Sequence, residues 1–348
     1  MHELPRRRGD PFLSIQYLRA VAALLIVYQH AREFIPEHFT HLKYFNGECG
    51  IDIFFVISGF IMTLTAAGAA PRDFLLRRLT RIAPLYWLFS VLAVALFFVA
   101  RPLAGNIDVT AQTLVMSLLL IPHENLTHPG KIWPILPQAW TLMYEMFFYV
   151  TFALLLFLPV HRRTVAIGLA YLGLAGLGVL LPHTNIPVVY VLTNPMLLEF
   201  VGGMVVGHLY LRKRQLPFMM SVTLLLAGTG WLVVESFSEA PRLFVRGVTA
   251  FMIVLGAVSM ERQRGVLKSG FLRVLGDSSY SIYLSHLFML QIFTAAWSKA
   301  ELAQSGNTYA FGYAACSVAF SAWAGILVYK SIERPMLRAS RKLCGLGR

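Results

Sequence analysis

Five ionisable side chains stand in stretches that are otherwise apolar: Arg19, His30, Asp52, Glu145 and His286. A charge in such surroundings is costly, so each is a candidate for chemistry. Arg19 and His30 lie eleven residues apart in "LRAVAALLIVYQH". At about 100° per residue they share one helix face, and at about 1.5 Å per residue they stand about 16 Å apart along it. An imidazole held there can act as a general base. Asp52, in "GIDIFFVISGF", is expected at a depth comparable with His30, where a carboxylate could fix the imidazole's tautomer. Ser58 follows six residues later, but "VISGF" lacks the first Gly of G-x-S-x-G, so it reads as a hydrogen-bonding or packing residue. Glu145, in "PQAWTLMYEMFFY", needs a partner or a wet cavity. His286, in "SYSIYLSHLF", is expected about 12 Å deep in its span. Structural roles compete with these: snorkelling for Arg19, polar packing for His30, helix capping for Asp52 and a hydrogen-bonded core position for His286.

Arg77, Arg78 and Arg81 form a basic cluster in "LLRRLTRIAPLYW". Guanidinium forks match phosphate oxygens, so the cluster is a candidate phosphate clamp at the mouth of a span. Ordinary positive-inside charge explains the same residues. The set as a whole suits an anionic donor arriving from the cytosol, with chemistry nearer the far side. On its own it does not identify the reaction.

The elements that carry these groups follow from composition. The chain has 348 residues, 57% hydrophobic and 14% charged, with mean hydropathy +0.63. That is too little charge to coat a water-facing surface and too much apolar content for a disordered chain. The reading is an all-α, polytopic membrane helix bundle. Ten apolar segments are long enough to cross: 15–34, 50–67, 82–100, 139–158, 164–181, 194–211, 217–234, 243–260, 278–297 and 309–329. The first follows Arg6, Arg7 and Arg8 without a small-residue cleavage site, so it reads as a retained span. Segment 110–122 is too short to cross and is expected to be re-entrant or interfacial. Most Lys and Arg then face the cytosol together with both termini, leaving Arg32, Lys43, Arg101, Lys131, Arg242, Arg246 and Lys299 outside. The net charge of +13 is thus membrane topology rather than a nucleic-acid partner. Residues 101–138 become a long outer loop, and 1–14, 15–337 and 338–348 a cytoplasmic segment, a membrane domain and a basic cytoplasmic tail. Cys49, Cys316 and Cys344 show no metal-ligand spacing or disulfide framework. Gly203 and Gly207 read as a close helix-packing pair.

Five motifs add a resemblance. "LRAVAALLIVYQH" is similar to the R-x10-H motif of the bacterial acyltransferase-3 family of membrane acyltransferases. "GIDIFFVISGF", "RRLTRIAPLYW", "AWTLMYEMFFY" and "SYSIYLSHLF" resemble its later motifs, in family order, so that the likeness covers about residues 13–337. No hydrolase-like domain follows, which resembles the single-domain, succinoglycan-type exopolysaccharide O-acetyltransferases.

The resemblance implies an acyl-CoA donor, most often acetyl-CoA, as substrate with no bound cofactor or metal. It implies a glycan or lipid-linked oligosaccharide as acceptor, a membrane lipid environment and the bacterial inner membrane; homo-oligomerisation stays open. It makes His30 the key catalytic residue and Arg19 its motif partner, gives Arg78 and Arg81 the CoA phosphates, and leaves Asp52, Glu145 and His286 to support the cavity or the proton chemistry. The rival function is a transporter or flippase for a lipid-linked saccharide, since buried ionisable groups also mark transport paths.

Overall fold

A computed structural model describes residues 12–34, 47–66, 68–100, 107, 109–181, 185–214, 216–234, 242–299 and 307–346. Among these, every regular element is helical. Each of the ten apolar segments carries a helix, and five helical segments are long and apolar enough to cross a membrane: Pro71–Val99, Val160–Leu180, Pro187–Leu211, Leu243–Arg264 and Tyr309–Leu343. Bare apolar side chains such as Leu169, Leu172, Val179 and Leu180 on the second of these suit contact with lipid tails.

Helix α1 (Leu13–Ala31) carries both Arg19 and His30. Its N-cap residue, Phe12, has no side-chain oxygen to satisfy the first amides. Glu261, from a helix near the other end of the chain, does so instead. Its carboxylate accepts from Leu13 N at 3.0 Å, Ser14 N at 3.0 Å and Ser14 Oγ at 2.5 Å. A negative charge also suits the positive end of a helix. This remote cap fixes the height of α1 in the bundle.

Helix α2 (Cys49–Thr65) runs back beside α1. Gly50 allows the approach, because a Cβ there would stand 2.4 Å from the Ala22 carbonyl oxygen. Helix α3 (Pro71–Val99) begins eleven residues before the predicted span. Pro71 fits the first helical turn, where its missing N–H would have no partner anyway. The arginine cluster is therefore helical, with its side chains at fixed angles. The short α4 (Ala111–Leu118) is closed at its start by a reciprocal Thr110–Thr113 cap. Eight residues span about 12 Å, far short of a crossing, as the sequence led one to expect. It is held to α3 by Tyr86, whose hydroxyl donates to the Ser117 carbonyl at 2.6 Å, and by Trp87, which donates to the Leu118 carbonyl at 2.8 Å.

The chain continues through α5 (Trp140–Leu154), α6 (Val160–Leu180), the short α7 (Pro187–Leu192) and α8 (Leu197–Leu211). Helices α2 and α8 cross in direct backbone contact. A Cβ on Gly203 would fall 1.9 Å from the Val56 carbonyl oxygen, one on Gly59 1.9 Å from that of Phe200, and one on Gly207 2.7 Å from Thr63 Cβ. The Gly203–Gly207 pair thus packs as its spacing predicted. After α9 (Phe218–Val234), a π-helical turn, Leu243–Gly247, opens α10 (Val248–Arg264). Then come α11 (Gly270–Asp277), α12 (Ser279–Lys299) and α13 (Asn307–Val328). A second π-helical turn, Tyr329–Glu333, leads into α14 (Arg334–Leu343), so most of the predicted tail continues the helix.

Candidate active site

Helices α1 and α12 run side by side and meet at two polar points. Near the start of both, Arg19 Nη2 donates to Ser279 Oγ at 2.8 Å. Further along, His286 Nε2 lies 3.3 Å from His30 Nδ1. The remaining bonds fix the tautomers. His30 Nδ1 is 2.9 Å from the Ile26 carbonyl oxygen, and His286 Nδ1 is 2.6 Å from that of Tyr283. A carbonyl only accepts, so both Nδ1 atoms carry hydrogen. His286 Nε2 then accepts from His30 Nδ1–H, and His30 Nε2 is left with its lone pair. His286 is fully buried and His30 half-buried. This arrangement gives His30 the free ring nitrogen that a general base needs.

Asp52 does not provide that support. It is fully buried and gripped by Arg242, with Nε to Oδ1 at 3.3 Å and Nη2 to Oδ2 at 3.0 Å. The same guanidinium reaches Glu48 Oε2 at 3.2 Å, and Arg246 closes on that oxygen as well. Burial works to raise the Glu48 carboxyl, but Arg246 and Arg242 outweigh it and hold it below the usual carboxylate range. Glu199, from α8, completes a cluster that ties α2, α8 and the π-helical turn before α10. Arg242 holds Asp52 and Glu48 together, and that pairing keeps Asp52 away from the imidazole.

Below the histidines lies a cavity of about 510 Å³. Its lining extends along α1 from Ile15 to Ile26 and along α2 from Ile51 to Thr65. The second run covers about 21 Å of helix axis. Arg19, Arg78 and Arg81 stand toward one end with Gln16 and Tyr280; Ile26, Ile51 and Thr141 mark the other. Halfway along, Ser58 donates to Glu145 Oε1 at 3.1 Å, and Tyr149, 3.3 Å from Ser58 Oγ, donates to the same carboxylate oxygen. Glu145 thus has both the partners and the cavity that its sequence position demanded.

Arg19, Ser58, Arg78, Arg81 and Glu145 come together around this one space. Arg77, His30, Asp52 and His286 are not among the described residues that line it. For Arg77 the reason is angular: Arg81 lies between Arg77 and Arg78 around the helix, about 40° from the first and about 60° from the second, and the cavity meets it from the Arg78 side. For His30 it is position, since the cavity stops at Ile26, one turn short of the ring. Among the described residues no group of three or more His, Cys, Asp or Glu is arranged to hold a metal ion.

Residues 12–326 match the family described as an acyltransferase domain. The chain belongs to the acyltransferase-3 family. It is accordingly an O-acyltransferase, and a multi-pass membrane protein. This acyltransferase is 35% identical over 318 residues to the exopolysaccharide production protein ExoZ of Rhizobium meliloti (strain 1021), over 90% of this chain and 95% of that protein. It is 28% identical to the acyltransferase MdmB of Streptomyces mycarofaciens, over 84% of this chain and 81% of that protein. It is 26% identical to the peptidoglycan O-acetyltransferase OatA of Listeria monocytogenes, over 81% of this chain but 50% of OatA, so it spans about half of that relative. No solved structure matches.

Three buried carboxylates of the acyltransferase escaped the sequence reading: Glu199, Glu261 and Glu333. Glu199 had a signal, since the rule that selected Asp52 and Glu145 applies to "MLLEFVGG" as well, whereas Glu261 and Glu333 lie just beyond the ends of their spans, beside Arg262 and Arg334. Glu333 accepts from Ser281 Oγ at 2.5 Å and is an electrostatic neighbour of Arg81 and Arg19. It places a counter-charge behind the arginine end of the cavity.

Proposed function

We propose that this protein transfers an acyl group, acetyl in the first instance, from acyl-CoA to a hydroxyl of an exopolysaccharide or a lipid-linked precursor of one. The observation that carries this reading is the cavity itself: arginines at one end, a carboxylate–tyrosine–serine group halfway, and a far end directly beneath a histidine with a free ring nitrogen. The likeness to the exopolysaccharide production protein ExoZ, 35% identical over nearly the whole of both chains, supports the polysaccharide acceptor.

In this reading the protein crosses the bacterial inner membrane ten times, with both termini cytoplasmic. The membrane domain spans 15–337, and 1–14 and 338–348 face the cytosol. CoA phosphates bind Arg78 and Arg81 at the cytoplasmic end, with Arg77 adding long-range attraction. The thioester arm extends along the cavity past Arg19. His30 Nε2 takes the proton of the sugar hydroxyl as its oxygen adds to the thioester carbonyl. The C–S bond then breaks, the thiolate takes up the proton that His30 accepted, and an ester and free CoA leave with His30 neutral again. His286 keeps its acceptor nitrogen on His30 Nδ1–H throughout, which stabilises the imidazolium formed in passing. Glu145, Tyr149 and Ser58 hold the arm's polar groups, and Asp52 is a structural anchor of α2.

The test is thiol release by purified protein given acetyl-CoA and surface polysaccharide. Release of CoA that depends on the polysaccharide supports transfer. Absence of release, together with movement of a lipid-linked saccharide across vesicles, would support a flippase instead.

A further inference from the structure

Ile26 and Ile51 line the end of the cavity nearest the histidine. Both are buried. Ile26 is four residues before His30 on α1, and its carbonyl oxygen holds His30 Nδ1 at 2.9 Å. The Ile26 side chain therefore lies one turn beneath the ring, at a height fixed by the bond that orients that ring. It has little freedom to retreat toward α2. A Cβ on Gly50 would come within 2.9 Å of Ile26 Cγ1, so the two helices already pack tightly around it. Ile51, next in the chain to Gly50, meets the cavity from the facing helix. Phe55, one turn deeper, stacks on Phe200 with ring centroids 4.4 Å apart, which stiffens the wall below.

We propose that Ile26 and Ile51 measure the donor's acyl group, making this enzyme selective for short acyl chains. The inference rests on the reading that acyl-CoA enters past the arginines. The hydroxyl that His30 activates must meet the thioester carbonyl at this end of the cavity, so the acyl tail beside that carbonyl lies against these two residues. An acetyl group adds one methyl beyond the carbonyl and fits beneath the wall. Each further methylene must displace a side chain that is packed against another helix backbone. An apolar pocket distinguishes one methylene by about tenfold or more.

The experiment uses the full-length protein in detergent and measures equilibrium binding of free CoA, acetyl-CoA, butanoyl-CoA and hexanoyl-CoA. The wild type is expected to bind acetyl-CoA at least about tenfold more tightly than hexanoyl-CoA. Ile26→Ala and Ile51→Ala should each reduce that ratio by about tenfold while free CoA binds as before. Ile51 carries no bond to the histidine, so its variant separates chain length from any disturbance of His30. If Ile26→Ala fails to fold, Ile26→Val should move the ratio the same way by a smaller factor. An unchanged ratio in the Ile51 and Ile26 variants overturns this inference and leaves the donor assignment standing. A wild type that binds no CoA overturns the donor assignment, and this inference with it.

Discussion

Replacing His286 with Leu tests how the proposed base, His30 Nε2, is prepared. In the structure His286 Nε2 accepts from His30 Nδ1–H at 3.3 Å, and nothing else on α12 bonds to that ring. While His30 is neutral the bond is an ordinary one, worth about 1 kcal/mol. When His30 takes the sugar proton it becomes charged, and the same bond rises to about 2–3 kcal/mol. Only the difference, about 1–2 kcal/mol, lowers the barrier. The His286→Leu variant should therefore lose about 5–30-fold in kcat, with the KM for acyl-CoA unmoved. Leu fills most of the space, and a His286→Gln variant, whose side-chain oxygen can accept, should recover part of the loss. The assay is thiol release under saturating acceptor, with folded yield checked by size exclusion. Wild-type kcat in His286→Leu would refute the pairing as a catalytic device, and a loss confined to KM would place His286 in donor binding.

Three further outcomes follow from other parts of the structure. Arg78→Ala should raise the KM for acyl-CoA at least about tenfold and change kcat little, whereas Arg77→Ala, which is off the cavity face, should raise it far less; donor titrations of both variants check this. Gly203→Leu should abolish recovery of folded protein, because its side chain would enter the Val56 carbonyl, while Gly173→Ala, with open space around it, should behave as wild type in thermal unfolding. Asp52→Asn should cost roughly 1–3 kcal/mol of stability by weakening the bonds to Arg242, which keeps Glu48 as a partner, seen as a lowered unfolding temperature, and the folded fraction should keep near-normal kcat.

Much of this architecture could be read from the chain because lipid leaves few options. Apolar length marked where helices lie, and the short run at 110–122 stayed short because Thr110 and Ser117 tie it into a docked turn. The Arg19–His30 spacing was legible for the same reason, since a rigid helix converts sequence separation into direction. What stayed hidden were choices between equally sensible partners. Asp52 was expected level with His30, but Gly50 packs against Ala22 and Ile26, which sets Asp52 below that ring, where Arg242 reaches it; a carboxylate gains more from a forked guanidinium than from an imidazole. The outer position expected for Arg242 and Arg246 from the sequence, against the usual charge bias, was the available sign that anions awaited them. The His30–His286 contact depends on how α1 and α12 are set against each other. That setting comes from Glu261 capping α1 and from Gly276, where a Cβ would meet the Gln16 carbonyl at 2.1 Å. Neither is visible in local pattern.

The account depends above all on His30 Nε2 accepting the proton of the acceptor hydroxyl. Mass spectrometry of surface polysaccharide from cells carrying only the His30→Ala protein tests this most directly. Loss of the base should lower O-acyl content by about 100-fold or more while the protein still inserts and binds acyl-CoA. Full O-acylation by that variant would contradict the account.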